Sequence, residues 1–170
     1  MFQRNLHSSP RPTATNQRRL DLDATRPDTP ALGLFEPADV IYSYSRQQAI
    51  EDGVLVQLSG DGYEGDDWIP NMVAEAGFRV PVAMTTEVFL QYVVPTPAAE
   101  RACNDVKGRL WDVLHMLRCA ISRGSDRSQI IFELRVVTTG VRPSRVVLKA
   151  VMGPGDDGEP VMTIMLPNQD

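Results

Sequence analysis

The sequence has no apolar run of the roughly eighteen residues that a membrane-crossing helix needs. Its opening stretch, MFQRNLHSSPRPTATNQRRL, also lacks the apolar core of a secretory signal. Together these absences point to a cytoplasmic chain. Phosphate-cradling loops are missing too, with neither G-x-x-x-x-G-K-[ST] nor G-x-G-x-x-G present. Aromatic residues make up only 6%, and none interleave with a basic run, which argues against a stacking platform for single-stranded nucleic acid. Histidine is scarce as well. Of the two in the chain, only His115 lies outside the polar N-terminal stretch, so an activated nucleophile with a positioned base has little to draw on. His115 stands in D-x-x-H-x-x-x-C with Asp112 and Cys119. That is three side chains along one helical ridge, one short of the four ligands of a structural zinc site. No catalytic residue, metal site or cofactor is assigned from the sequence.

The two cysteines, Cys103 and Cys119, lie sixteen residues apart within a stretch that reads as one helix. At helical rise they would stand roughly 24 Å apart, too far for a disulfide. Free thiols suit a reducing compartment.

What is present is a chain of 170 residues with 42% hydrophobic and 23% charged residues, ordinary for one globular domain. Its net charge of −5 is unevenly spread. The first 37 residues and the stretch from Glu100 onward are each close to balance, whereas Ala38 to Ala99 holds two arginines against nine acids. A negative field there disfavours nucleic acid and suits a basic protein surface; simple solubility is the plainer use of the same charge.

Residues 1–37 are rich in Pro, Ser, Thr, Arg and Asp and poor in large apolar side chains, which predicts a disordered arm ahead of a single domain over 38–170. Tyr42 and Tyr44 read as half-buried anchors at its start. Ser45 and Gln48 have capping-box spacing for a short helix, which Gly53 ends. Val54 to Leu58 reads as a strand, Trp68 to Gly77 as a helix, FRVPVAM as extended, and TTEVFLQYVV as a third helix with Thr85 or Thr86 as N-cap. After Pro95 to Pro97, AAERACNDVKGRLWDVLHMLRCAISRG places Ala99, Cys103, Val106, Leu110, Val113, Leu114, Leu117 and Ile121 on one stripe. It predicts a single long amphipathic helix closed by Gly124. The period then becomes two. Phe132, Leu134 and Val136 alternate with Ile131, Glu133 and Arg135, and Val146, Leu148 and Ala150 alternate with Arg145, Val147 and Lys149. With PVMTIMLP these make a three-stranded antiparallel meander packed on the long helix. The fold class is α+β.

Two acidic loops stand out. Asp61, Glu64, Asp66 and Asp67 lie in SGDGYEGDD, and Asp156, Asp157 and Glu159 lie in GPGDDGEP between the last two strands. Asp157-Gly158 is a hairpin-turn signal, and neither loop has the alternating acids of a calcium loop. The hairpin acids therefore serve a solvated turn, a partner contact or, least well supported, a metal. All seven are the candidate partner-binding residues.

Four blocks, IYSYSRQQAIEDGVLVQL, EAGFRVPVAMTTEVF, GRLWDVLHMLRCAI and VVLKAVMGPGDDGEPVMTIMLPN, resemble in order a family of small uncharacterised proteins carried on bacterial plasmids, phages and other mobile elements. The resemblance spans Ile41 to Asn168 and brings no assigned catalytic residues. The resemblance implies a mobile-element setting and, with it, inhibition of host defence of the restriction or CRISPR type. The acidic middle segment, the acidic loops and the lack of a catalytic constellation point to a non-enzymatic acidic interaction protein with a host or element-encoded protein as partner. Direct nucleic-acid and membrane binding are not expected. The alternatives are a metal-dependent hydrolase or nuclease built on the acidic hairpin, and an accessory or dimerising subunit without activity of its own.

Overall fold

The computed structural model describes residues 44–124, 128–138 and 142–169. The arm expected over 1–37 and Tyr42 lie outside them. Among these residues five helices and five strands follow in the order α1 (Arg46–Glu51), β1 (Leu55–Gln57), α2 (Trp68–Glu75), β2 (Val82–Thr85), α3 (Thr86–Val88), α4 (Pro97–Arg101), α5 (Val106–Ser122), β3 (Gln129–Val136), β4 (Ser144–Pro154) and β5 (Pro160–Met165). From α3 the chain runs directly into a π-helical turn, Phe89–Val93. The strands form one mixed sheet in the order β1-β2-β5-β4-β3.

The expected meander is present, with β3 against β4 and β4 against β5, both antiparallel. The last strand also inserts between β4 and β2, pairing parallel with β2, and β2 carries β1 antiparallel on its far side. The N-terminal strands thereby join the C-terminal sheet through β5. One sheet face holds Phe132, Leu134, Val136, Val146, Leu148, Ala150, Met162, Ile164, Val82 and Met84. All are buried in one cluster with Leu110, Val113, Leu114 and Leu117 of α5.

The expected long helix is two helices. Asn104 Nδ2 donates to the carbonyls of Ala99 and Ala102, and Cys103 takes a positive φ of 59°. Asp105 then starts α5 afresh by accepting from the Gly108 N–H at 2.7 Å. Short polar side chains at 104 and 105 compete with helical backbone pairing and cap better than they propagate. Ala99 and Cys103 therefore leave the α5 stripe, and the separation argument for the cysteines lapses with the single helix, although both thiols are free. From Val106 onward the stripe stands as expected.

The Ser45–Gln48 capping box forms in both directions. Tyr44 differs from expectation: it is 55% exposed, and its hydroxyl donates to Asp52 at 2.9 Å. Thr85 occupies the N-cap position of α3 without a side-chain cap. Its hydroxyl turns to Gln169 Oε1 instead, at 3.0 Å.

Candidate functional site

The acidic hairpin and the acidic loop, about ninety residues apart in sequence, meet at the short helix α1. A cleft of about 310 Å³ is lined by Arg46, Gln47 and Asp61 together with Asp156, Asp157 and Glu159. A second cleft, of about 550 Å³, shares Gln47, Ile50 and Gln57 with the first and adds Glu64 and Asp66. Six of the seven acids picked from the sequence thus rim two adjoining clefts around α1. The seventh, Asp67, is exposed at the N-terminal boundary of α2.

The sheet produces this meeting. β5 pairs with β2, so the hairpin preceding β5 lies beside the β1–β2 end where the acidic loop emerges. Gly60 holds that loop down at φ +116°, with its α-carbon so close to Pro81 that a Cβ would come within 2.8 Å of the proline Cβ. In the hairpin, Gly158 takes φ +81° and its N–H donates to the Gly155 carbonyl at 3.1 Å. The turn reading of Asp157-Gly158 is correct in outline, with the left-handed residue being the glycine.

The carboxylates are not equivalent. Asp156 accepts from the backbone N–H groups of Arg46 (2.7 Å) and Gln47 (2.8 Å), and so caps the first turn of α1 from 110 residues away. A carboxylate there satisfies two otherwise orphaned donors and opposes the positive end of the helix. Glu159 turns back to accept from the Asp157 N–H at 3.1 Å. Asp61, Glu64, Asp66 and Asp157 are exposed, and Tyr63 leans over its loop with its hydroxyl on the Asp66 carbonyl at 3.2 Å. Burial, with Asp66 and Asp67 nearby, pushes the Tyr63 phenol up.

Arg46 forms the cleft floor, and sequence reasoning missed it. Its Nη1 donates to Thr163 Oγ1 at 2.9 Å, while Nη2 is shut from solvent without a hydrogen-bond partner among the described residues. Burial lowers its pKa, and Asp156 and Glu159 oppose that shift. The only sequence signal was an arginine at the first position of a helix, where a cation is misplaced unless a carboxylate answers it.

Asp156→Ala should therefore cost about 1–2 kcal/mol through the lost cap, read as a lower urea midpoint. Asp157→Ala should stay within about 0.5 kcal/mol. Equal effects would mean that Asp156 does not cap α1.

The ridge of Asp112, His115 and Cys119 lies elsewhere, on the outer flank of α5. His115 stacks on Trp111 with centroids 5.9 Å apart, and the Cys119 sulfur lies 3.6 Å from His115 Nε2. Among the described residues no three His, Cys, Asp or Glu side chains are grouped to hold a metal ion, neither here nor at the hairpin. Burial pushes the Asp112 carboxyl above the usual carboxylate range, partly opposed by His115. A raised folded-state pKa means that the ionised form is the one the fold disfavours. The cost is absent below the ordinary value of 3.8, develops as pH rises toward the folded value, and persists at neutral pH. Asp112→Asn should accordingly raise the melting temperature slightly at pH 7 and leave it unchanged at pH 3, by calorimetry.

No helix among the described residues is long and apolar enough to cross a membrane. The chain belongs to the family of unknown function DUF6573, whose profile matches residues 32–170. Neither a curated protein nor a solved structure matches it.

Proposed function

We propose that this member of DUF6573 is a non-enzymatic acidic interaction protein of a mobile genetic element, one that blocks host defence of the restriction or CRISPR type by binding a basic protein surface. The observation that carries the reading is the gathering of Asp61, Glu64, Asp66, Asp156, Asp157 and Glu159 around α1 from two distant loops. All six are exposed and border clefts of side-chain size, Asp156 and Glu159 also accepting backbone N–H groups of the fold. Such a surface steers a basic partner into register and rejects acidic ones. The mobile-element setting rests on the resemblance of the four sequence blocks, and the defence target on that setting.

The test is capture from host lysate at low and high salt. The wild type is compared with a variant carrying Asp61→Asn, Glu64→Gln, Asp66→Asn and Asp157→Asn, which spares the structural cap at Asp156. A nucleic-acid-handling protein held by the wild type, released by salt and lost in the variant supports the reading. A partner indifferent to both salt and the four substitutions would overturn it.

A further inference from the structure

The two edges of the sheet are unlike. β1 offers three residues, too few for another strand to read, whereas β3 offers eight. The Met152 N–H donates to the Ser128 carbonyl at 2.7 Å, which fixes the ladder's phase. Residues 130, 132, 134 and 136 then exchange their hydrogen bonds with β4. The N–H and C=O groups of Gln129, Ile131, Glu133 and Arg135 point away from β4, along an edge that no other strand among the described residues pairs with. Their side chains occupy the face opposite α5 and are exposed, Ile131 at 61%. Beside this edge lies a cleft of about 640 Å³, walled by Asp112, His115 and Met116 of α5 and floored by Glu133, Leu134 and Arg135 of β3.

An open strand edge beneath the flank of a helix is the geometry that takes an added strand. α5 packs on β3, the edge strand itself. A second copy joining edge to edge would bring its own α5 onto this one, because adjacent strands are only about 4.8 Å apart and packed helices need 8–10 Å. A lone extended segment has no such helix. Arg109 already donates to the outward carbonyl of Val137, which bounds the edge at its C-terminal end. We propose that the β3 edge binds an extended peptide segment of a partner protein as a sixth, antiparallel strand.

The side-chain chemistry of the edge specifies that segment. Directly opposed residues share a face, and opposite charges favour pairing. Glu133 already pairs with Arg145 of β4, so a basic residue set opposite it shares that carboxylate. Antiparallel to Ile131, Glu133 and Arg135, the segment reads, from its N-terminus, acidic, apolar, basic, apolar, apolar. The intervening residues turn toward Met116 and Leu134 and should be apolar. This surface uses none of the acids around α1, so it stands or falls separately from the proposed function.

The experiment is selection of a random peptide library on the purified chain, followed by fluorescence anisotropy and amide hydrogen exchange with the winning peptide. The expected winners show the acidic-basic-apolar alternation and slow exchange at the amides of Ile131, Glu133 and Arg135. Ile131→Pro removes one outward N–H and leaves the β4 ladder whole; it should weaken binding about tenfold or more. N-methylation of the peptide at its inward-facing amides tests the same bonds without altering the protein and should abolish binding. Winners that protect another surface, or that tolerate N-methylation, would refute strand addition. So would finding these amides already protected in a dimer of the chain, or recovering no alternating peptide.

Discussion

Arg109→Ala is expected to destabilise the domain by about 2–4 kcal/mol, from the lost packing of a buried stem and from carbonyls deprived of a charged donor. Arg109 sits in the first turn of α5 and is only 4% exposed. Its Nη1 donates to the carbonyls of Tyr92 and Val94, each at 3.4 Å, at the end of the π-helical turn. Nη2 donates to the carbonyl of Val137, just beyond β3. One planar group thus ties two segments to α5, through three carbonyls at or beyond the ends of their own secondary structure. Burial lowers the pKa of the guanidinium, the mark of a cation held out of water for a structural purpose. Truncation leaves three acceptors to find water in a space the side chain had filled. Arg109→Lys should recover only part of the loss, since an ammonium lacks the fork that reaches divergent acceptors. Arg109→Met keeps most of the stem and drops the donors, separating packing from hydrogen bonding. Urea unfolding of the three variants checks this, and an alanine variant within about 1 kcal/mol of wild type would mean that the three carbonyls do not depend on the guanidinium.

Arg109 also marks where the sequence stops being legible. Its neighbours Leu110, Val113, Leu114 and Leu117 announce the buried face of α5 through their spacing, because apolar burial is periodic. An arginine on that face carries no periodic signal; its role depends on where Tyr92, Val94 and Val137 end up. Lys149 repeats the lesson in β4. Alternation assigns it to the face away from α5, and it does lie there, opposite Met165. Yet it is only 4% exposed, and its ammonium donates to the Gln169 carbonyl. The segment after β5 folds back over that face, with Gln169 bonded also to Thr85, Glu87 and the Leu166 N–H. Strand period reports which face a residue takes and says nothing of what later covers the face. The break at Asn104-Asp105 has a local signal in two adjacent capping residues, but the apolar stripe runs straight through them and is the stronger pattern. At the candidate site the acids were visible as composition. Their convergence on α1, and the use of Asp156 as a remote helix cap, depend on β5 pairing with β2, a parallel contact between short strands far apart in sequence.

β4 provides the second large effect, and it tests the alternation itself. Leu148 is fully buried at the centre of the strand, opposite Phe132 of β3 and in the cluster with the α5 leucines. Leu148→Ala removes buried methyl groups and leaves a void that the sheet cannot collapse to fill, so a loss of about 2–5 kcal/mol is expected. Val147, one residue earlier, faces the other side and is half-buried; Val147→Ala should cost no more than about 1 kcal/mol. Lys149→Ala should fall between them, because it strips a buried stem and the Gln169 contact from a face with a thinner cover. The ordering Leu148, Lys149, Val147 is sharper than any one value, since a shift of register by one residue would exchange the faces and reverse it. Guanidinium unfolding of the three variants at one temperature decides it. A Val147 variant weaker than the Leu148 variant would place α5 against the wrong face of the sheet.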